Sequence, residues 1–464
     1  MDTLSMERVM QQCWSEAWPK VAVAAELELS VASGMEVMQR MLGLMKRVCA
    51  GGSRSWWEQS DATEPVLERE GEVLRFKLVS ETKFFTLCGP VVVSRRLSQK
   101  DRGGPTVSPL EEAWGMVGQS ATPEIREIAA FALGLTTAKE AAELLAKASL
   151  CPVGVTTLKS LAGEFGEWVE EHPAVIAEVR AAEEIPQETR IVCASLDGAN
   201  LRLAEPGPKP GRPVAGDAGE PAKTCFQNAM VGTVSLSGSV PPQEKTPTRW
   251  QTRCVARMPE EGSPTFRTQF EAEVADTLAR CPPEVQQVLV LDAGKSLWHD
   301  IASQPLFDDF EKIVDFIHAI EHVAEASDAL FGKGTHAAQA WTARHRHSRL
   351  DHDDGPQRIM RAIDYALKSH RVSRSGRTEA RKQRQYFHNN SARMTDASFR
   401  ARGLPIGSGP VEAAGKTLVK TRLCRSGMRW TRTGGQHLLN LRTLIRSDRW
   451  TPTWTRDLAS LQSA

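Results

Sequence analysis

Two short apolar runs do most to limit how this chain can fold. Ile191-Val192-Cys193-Ala194-Ser195-Leu196 leads straight into Asp197-Gly198, and Val288-Leu289-Val290-Leu291 into Asp292-Ala293-Gly294. Runs this short, rich in branched side chains and bounded by glycine, predict buried strands. A carboxylate beside such a run is costly unless it is paired or bound to metal. Around the two runs, strand patterns over 190–203, 228–236, 250–258, 285–291 and 312–316 alternate with helical ones over 266–279 and 317–330. That order predicts an α/β class, a mixed sheet with helices packed on it. Carboxylates at strand ends in such a sheet face the crevice where ligands bind.

The flanking regions are mostly helical. Residues 1–50 predict helices that Gly51-Gly52 should end, followed by strand-like pieces at 72–78 and 84–97 and a charged loop at 99–108. In Thr137-Ala138-Lys139-Glu140, Thr137 can cap a helix through Ala146 while Glu140 reaches back. A break at Cys151-Pro152-Val153-Gly154 then leads to a helix over 156–170. Such a pair fits a DNA-reading helix-turn-helix and equally an ordinary helical pair. Residues 204–223 read as a Pro/Gly-rich loop, and 335–395 as polar helices interrupted by the His/Asp-rich stretch 344–355. The chain thus divides into five regions: 1–110 helical with a small sheet, 111–185 helix-turn-helix-like and DNA-binding, 186–334 the core, 335–395 a helical insertion, and 396–464 the rest of the core with basic helices.

Composition narrows the function classes. A chain of 464 residues, 41% hydrophobic and 25% charged, has the make-up of a soluble protein of several domains. No run approaches the ~20 apolar residues of a membrane span, and the N-terminus has no apolar signal core. Cytoplasmic location without a membrane partner is the expectation. Nine cysteines without a CxxC pair argue against a disulfide framework or a zinc ribbon and suggest buried thiols. The net charge of +1 conceals 19 Lys/Arg against 5 Asp/Glu over 371–464. Such a segment is either a footprint for phosphate backbone or a solvated basic surface.

A third acid stands in that segment. Glu412 follows Gly409-Pro410, and Pro suits a first helical turn because its missing N–H would be unpaired anyway. Val411, Ala414, Gly415, Leu418 and Val419 make an apolar face, with Glu412, Lys416 and Lys420 opposite at i, i+4, i+8. Each acid alone has an ordinary explanation: Asp before Gly is a turn residue, and Glu in a first turn suits the helix dipole. Taken as strand, strand, helix, the three acids fit a site for two Mg²⁺ (or Mn²⁺) ions about 3.5–4 Å apart, which cut phosphodiesters.

At these residues the sequence resembles bacterial insertion-sequence transposases of the DDE class, most closely the ISKra type, related to Mutator-like elements. The resemblance rests on Ser195-Leu196-Asp197-Gly198, Met230-Val231-Gly232-Thr233-Val234-Ser235, and Val290-Leu291-Asp292-Ala293-Gly294 with Trp298. It continues through Val314-Asp315-Phe316-Ile317-His318-Ala319-Ile320-Glu321-His322, Leu404-Pro405-Ile406-Gly407-Ser408-Gly409-Pro410-Val411-Glu412-Ala413-Ala414 and Arg425-Ser426-Gly427-Met428-Arg429-Trp430. It implies an RNase H-like core with Asp197, Asp292 and Glu412 as metal ligands, interrupted by the 335–395 insertion. It also sets Asp315 and His318 in a (Cys/Asp)-x-x-His signature near the active site; read alone, the pair caps a strand-to-helix junction. Related proteins often carry paired CxxC motifs after the N-terminal strands, whereas 95–109 has no cysteine. No zinc is therefore expected, and the crowded, charged 344–354 stretch is a poor replacement.

The implied activity is cleavage at an element's ends and transfer of the freed 3′-hydroxyl to target DNA. The implied partners are double-stranded DNA ends, target DNA and further copies of the chain, as a homodimer or larger. An inactive terminal-repeat binder and an RNase H-like nuclease without strand transfer are the alternatives. Lys416, Lys420, Arg422, Arg425 and Arg429 are the candidate phosphate contacts. Trp341 either stacks on a base, as the resemblance suggests, or packs within its helices.

Overall fold

The computed structural model describes every residue but 1–2, 26–30, 62, 70–71, 101–103, 117, 149–152, 205–225, 242–243, 245, 295–297, 300, 302 and 464. Two units each have their own core, one formed by Met1–Val175 with Trp450–Ala464, the other by Ile176–Arg449.

In the first unit, helices Thr3–Ala25 and Val31–Ser60 pack together, and the second runs through Gly51-Gly52 rather than ending there. The glycines allow close approach: a Cβ on Gly51 would come within 2.8 Å of Cys13 Sγ, and one on Gly52 within 3.2 Å of Met10. Strands β1 (Val66–Arg69), β2 (Glu72–Thr86) and β3 (Gly89–Lys100) form an antiparallel sheet. The strand predicted over 84–97 is in fact the last three residues of β2, the turn and most of β3. Gly89, at φ 112°, makes the turn that other residues resist, and Thr86 Oγ1 donates to its carbonyl at 2.7 Å. Part of the predicted 99–108 loop, residues 101–103, lies outside the described residues, as do 151–152 of the helical break.

The capping box forms as predicted. Glu140 N–H donates to Thr137 Oγ1 at 3.2 Å, and Thr137 N–H donates to Glu140 Oε2 at 2.9 Å. Helix Ala138–Lys147 comes next, and later Val155–Glu171. Helix Trp450–Ser463 belongs to this unit. The reason is aromatic: Phe165 meets Trp450 and Trp454 edge-on at 5.3 and 4.9 Å, a geometry that adds to the area buried.

The second unit holds β4 (Ile191–Arg202), β5 (Phe226–Ser237), β6 (Arg249–Arg257), β7 (Gln286–Leu291) and β8 (Glu311–Val314), in the order β6-β5-β4-β7-β8. β5 runs antiparallel to β4 and β6, whereas β4, β7 and β8 are mutually parallel. The class is mixed α/β. The Pro/Gly-rich loop at 204–223 lies almost wholly outside the described residues.

One face of the sheet buries Val192, Ala194, Leu196, Leu289 and Leu291 under Phe266, Phe270 and Val274 of helix Pro264–Leu278. On the other, Ala199, Leu201 and Val231 meet Val411, Ala414 and Leu418, while Val288 and Val290 meet Phe399 and Leu404. Helices Phe316–Phe331, His336–Asp351, Gly355–Ser369 and Arg374–Asn390 share a core around Val323, Ile359, Ile363 and Phe387. The break predicted at 344–355 shrinks to three residues, because helix His336–Asp351 continues through most of it. Burial holds it in place: Arg349 is fully buried in an ion pair with Asp396, and His345 is buried too. The cysteines divide, with Cys193 and Cys254 buried but Cys49 and Cys424 exposed. No helix among the described residues is long and apolar enough to cross a membrane.

Candidate active site

Strand register fixes where the two aspartates stand. The last β4–β7 pair is Leu196 with Leu291, so Asp197 and Asp292 are the next residues on adjacent parallel strands. Neighbouring strands lie about 4.8 Å apart. Leu196 and Leu291 point into the core under helix Pro264–Leu278. Side chains alternate along a strand, so both aspartates belong to the opposite face. Val411 and Ala414 anchor helix Gly409–Ala414, which carries Glu412, on that same face.

Asp197 is not at a strand end. β4 stays paired with β5 as far as Arg202 with Phe226, and Asp197 stands where β7 leaves off. Both aspartates are half-buried and bonded alike: Gly198 N–H donates to Asp197 Oδ1 at 2.7 Å, and Ala293 N–H to Asp292 Oδ1 at 2.5 Å. Gly198 makes room for Asn228, whose side chain a Cβ would approach to 3.1 Å.

Glu412 is half-buried, and Ser408 Oγ donates to its Oε1 at 3.3 Å. The Ser408 carbonyl accepts from the N–H groups of Val411 and Glu412 at 3.0 and 3.1 Å, starting the helix. Among the described residues, no three His, Cys, Asp or Glu side chains converge as closely as ligands of one metal ion. The three acids share a face, with Glu412 bonded back to the start of its own helix.

Asp315, fully buried at the end of β8, joins the parts of this face. Its N–H donates to the Leu291 carbonyl at 2.9 Å. Its Oδ1 accepts from His318 N–H at 2.8 Å and so caps helix Phe316–Phe331, as the sequence allows. Its Oδ2 accepts from Ser408 N–H, a link to the Glu412 helix that the sequence does not announce. His318 Nδ1 lies 3.1 Å from Glu321 Oε2. Burial works to lower the His318 pKa, but the carboxylates of Asp292, Asp315 and Glu321 outweigh it and hold it above the ordinary value.

Trp298, which only the family resemblance singles out, donates its indole N–H to the Asp292 carbonyl at 2.9 Å. The Arg393 guanidinium lies 4.0 Å from the centre of its ring.

Lys416, Lys420, Arg425 and Arg429 are exposed. Arg422 is buried, with its guanidinium 5.3 Å from the centre of the Trp430 ring. The i, i+4, i+8 face predicted for Glu412, Lys416 and Lys420 is altered, because Gly415–Lys420 is π-helical. Its i→i+5 bonds add a residue to the turn and rotate the residues beyond it. Trp341 is half-buried and packs on Phe331 and His345 at 6.2 and 4.2 Å.

No protein-family model matches the chain, and no curated protein matches it either.

Proposed function

We propose that this chain is a DDE transposase with an RNase H-like core, which cuts DNA at element ends and joins the freed 3′-hydroxyl to target DNA. One observation carries the reading: Asp197 and Asp292 stand side by side on parallel strands, on the face that the Glu412 helix covers. The sheet supports it, with β5 the one strand of the five that runs against the others. Mg²⁺ or Mn²⁺ suits this donor set, since carboxylates on adjacent strands supply hard oxygens. Asp197 and Asp292 would hold the ions, with Glu412 the third ligand from the helix. Such ions activate water and stabilise the leaving oxygen.

The chain's own residues do the positioning. Asp315 fixes the backbone of Ser408, and the Ser408 hydroxyl orients Glu412. Trp298 holds the Asp292 carbonyl. Exposed Lys416, Lys420, Arg425 and Arg429 are suited to phosphates of double-stranded DNA, whereas buried Arg422 serves packing. Assembly with further copies on DNA and a cytoplasmic setting complete the proposal.

The test is purified protein with Mg²⁺ or Mn²⁺ and DNA carrying the element's flanks. Wild type should nick and join, while Asp197→Asn, Asp292→Asn and Glu412→Gln should each bind DNA but do neither. These swaps keep shape and weaken a metal site. Cleavage by one variant removes that residue from the set, and failure of the wild type on every flank sinks the function.

A further inference from the structure

Helix Val31–Ser60 lies along the β2–β3 hairpin and is tied to it at successive points. Just past the helix end, Asp61 Oδ2 accepts from Arg96 N–H at 2.5 Å, and about one turn earlier Glu58 Oε1 accepts from Ser94 N–H at 3.0 Å. Between them, Trp57 meets Phe84 edge-on at 5.9 Å. Followed further back, the helix reaches Cys49 where the hairpin reaches its turn, Leu87-Cys88. There the thiols of Cys49 and Cys88 share a hydrogen bond.

Regular backbone holds both sides of this contact. Cys49 stands inside the helix. Cys88 stands in a two-residue turn that Gly89 closes at φ 112°, and its N–H donates to Thr86 Oγ1 at 3.1 Å. The two thiols differ in access, since Cys49 is exposed and Cys88 half-buried. Burial and the neighbouring Cys49 raise the Cys88 pKa, while Lys46, one turn before Cys49, opposes the rise. Other cysteines are placed differently. Cys13 Sγ lies against Gly51, about 200° round the helix from Cys49. Cys193 and Cys254 are buried in the large sheet, which pushes their thiols up to about 12 and keeps them from reacting as thiolates. Cys424 donates to the Asn200 carbonyl at 3.4 Å.

We propose that Cys49 and Cys88 form a reversible oxidation site, in which an intramolecular disulfide fastens the hairpin turn to helix Val31–Ser60. The oxidant is a hydroperoxide. The Cys49 thiolate attacks its outer oxygen, the O–O bond breaks, and Cys49 is left as a sulfenic acid while the other oxygen takes a proton and leaves. Cys88 then gives up its proton, and its sulfur attacks that of Cys49. The S–S bond forms, the S–O bond breaks, and the departing hydroxide leaves with the proton as water. The two thiols have lost two electrons and two protons, and hydrogen peroxide has become two waters. Exposure sets the order, because peroxide reaches Cys49 first and the half-buried Cys88 resolves it. In a reducing compartment the dithiol prevails, and the bond lasts only while oxidant is present. This chemistry and the proposed action on DNA do not depend on each other.

Full-length protein is reduced, freed of reductant and treated with hydrogen peroxide. Remaining thiols are capped with N-ethylmaleimide, and the unreduced digest is mapped by mass. The expected product is a single chain, by unreduced gel, with a peptide pair joining Cys49 to Cys88 and two fewer capped thiols, all reversed by dithiothreitol. Closing a loop of about 40 residues should raise Tm by about 5–10 °C over the reduced protein. Cys88→Ser should leave Cys49 as a sulfenic acid that dimedone traps, whereas Cys49→Ser should leave Cys88 unlabelled at the same dose. Melts of both reduced variants check their folding, and the map of the wild type decides the matter where a variant melts early. Absence of the linked pair overturns the site, as does Cys49 joined to another chain or to another cysteine. A linked protein that melts no higher than the reduced one also overturns it, because the bond would then distort the fold. Dimedone on Cys88 in Cys49→Ser overturns the order of attack.

Discussion

Asp315 is fully buried, yet each of its oxygens accepts a backbone N–H, one from His318 at 2.8 Å and one from Ser408. Losing a helix N-cap costs about 1 kcal/mol, and leaving a buried N–H unpaired costs about 1–3 kcal/mol more. Asp315→Ala is therefore expected to destabilise the protein by about 2–4 kcal/mol in urea melts. Below its melting range it should also bind Mn²⁺ more weakly, because Ser408 starts the Glu412 helix and its hydroxyl orients the acid. A loss well under about 1 kcal/mol would show that water replaces both bonds. The cap was legible in the sequence, because Asp-x-x-His at a strand-to-helix junction is a local pattern. The bond to Ser408 was not, because it spans 93 residues and leaves no periodicity behind. Trp298 is singled out by the family resemblance alone, because its cation contact, Arg393, comes from a distant segment.

The five strands of the second unit and its helices Pro264–Leu278 and Phe316–Phe331 fall within about two residues of the bounds that alternation and helical period suggest, because burial on one face imposes those periods. Misreadings fall where packing overrides a local signal. Gly51-Gly52 looks like a helix stop, but contact with Cys13 and Met10 favours glycine inside the helix. The charged stretch at 344–351 looks like solvated loop, but Arg349 finds Asp396 in the interior. The same helix carries Trp341, whose indole packs on Phe331 and His345 while also lining an open cleft with Arg344 and Tyr365. Half-burial makes packing its larger contribution. Trp341→Ala should lose about 2 kcal/mol of stability, with nicking and joining declining together as the protein melts. Joining lost at unchanged Tm, with the first nick intact, would instead mark the indole as a base contact.

Across the whole chain the net charge is only +1, so any attraction to the proposed DNA has to come from where positive charge is exposed rather than from its total. The excess over 371–464 is smaller at the surface than the sequence suggests. Arg422, Arg442 and Arg449 are buried, and Arg449 is bonded to Glu183 and Glu273. Arg384 and Arg402 pair with Asp364 and Glu311 at 2.8 and 2.5 Å. Exposed Lys416 and Lys420 sit on the stretch that continues from Glu412, where a substrate phosphate would come closest. Each phosphate contact releases nearly one counterion, so the logarithm of affinity falls with the logarithm of salt by about 0.9 per contact. Neutralising both, as Lys416→Gln/Lys420→Gln, should lower that slope by about two when affinity for double-stranded DNA is measured across a salt series. Arg422→Gln should leave the slope alone and lower Tm, because the side chain is buried with its guanidinium packed on Trp430. An unchanged slope in the double lysine variant would place DNA on another surface. A reduced slope for Arg422→Gln without a change in Tm would mean that the segment rearranges to expose the arginine when DNA binds.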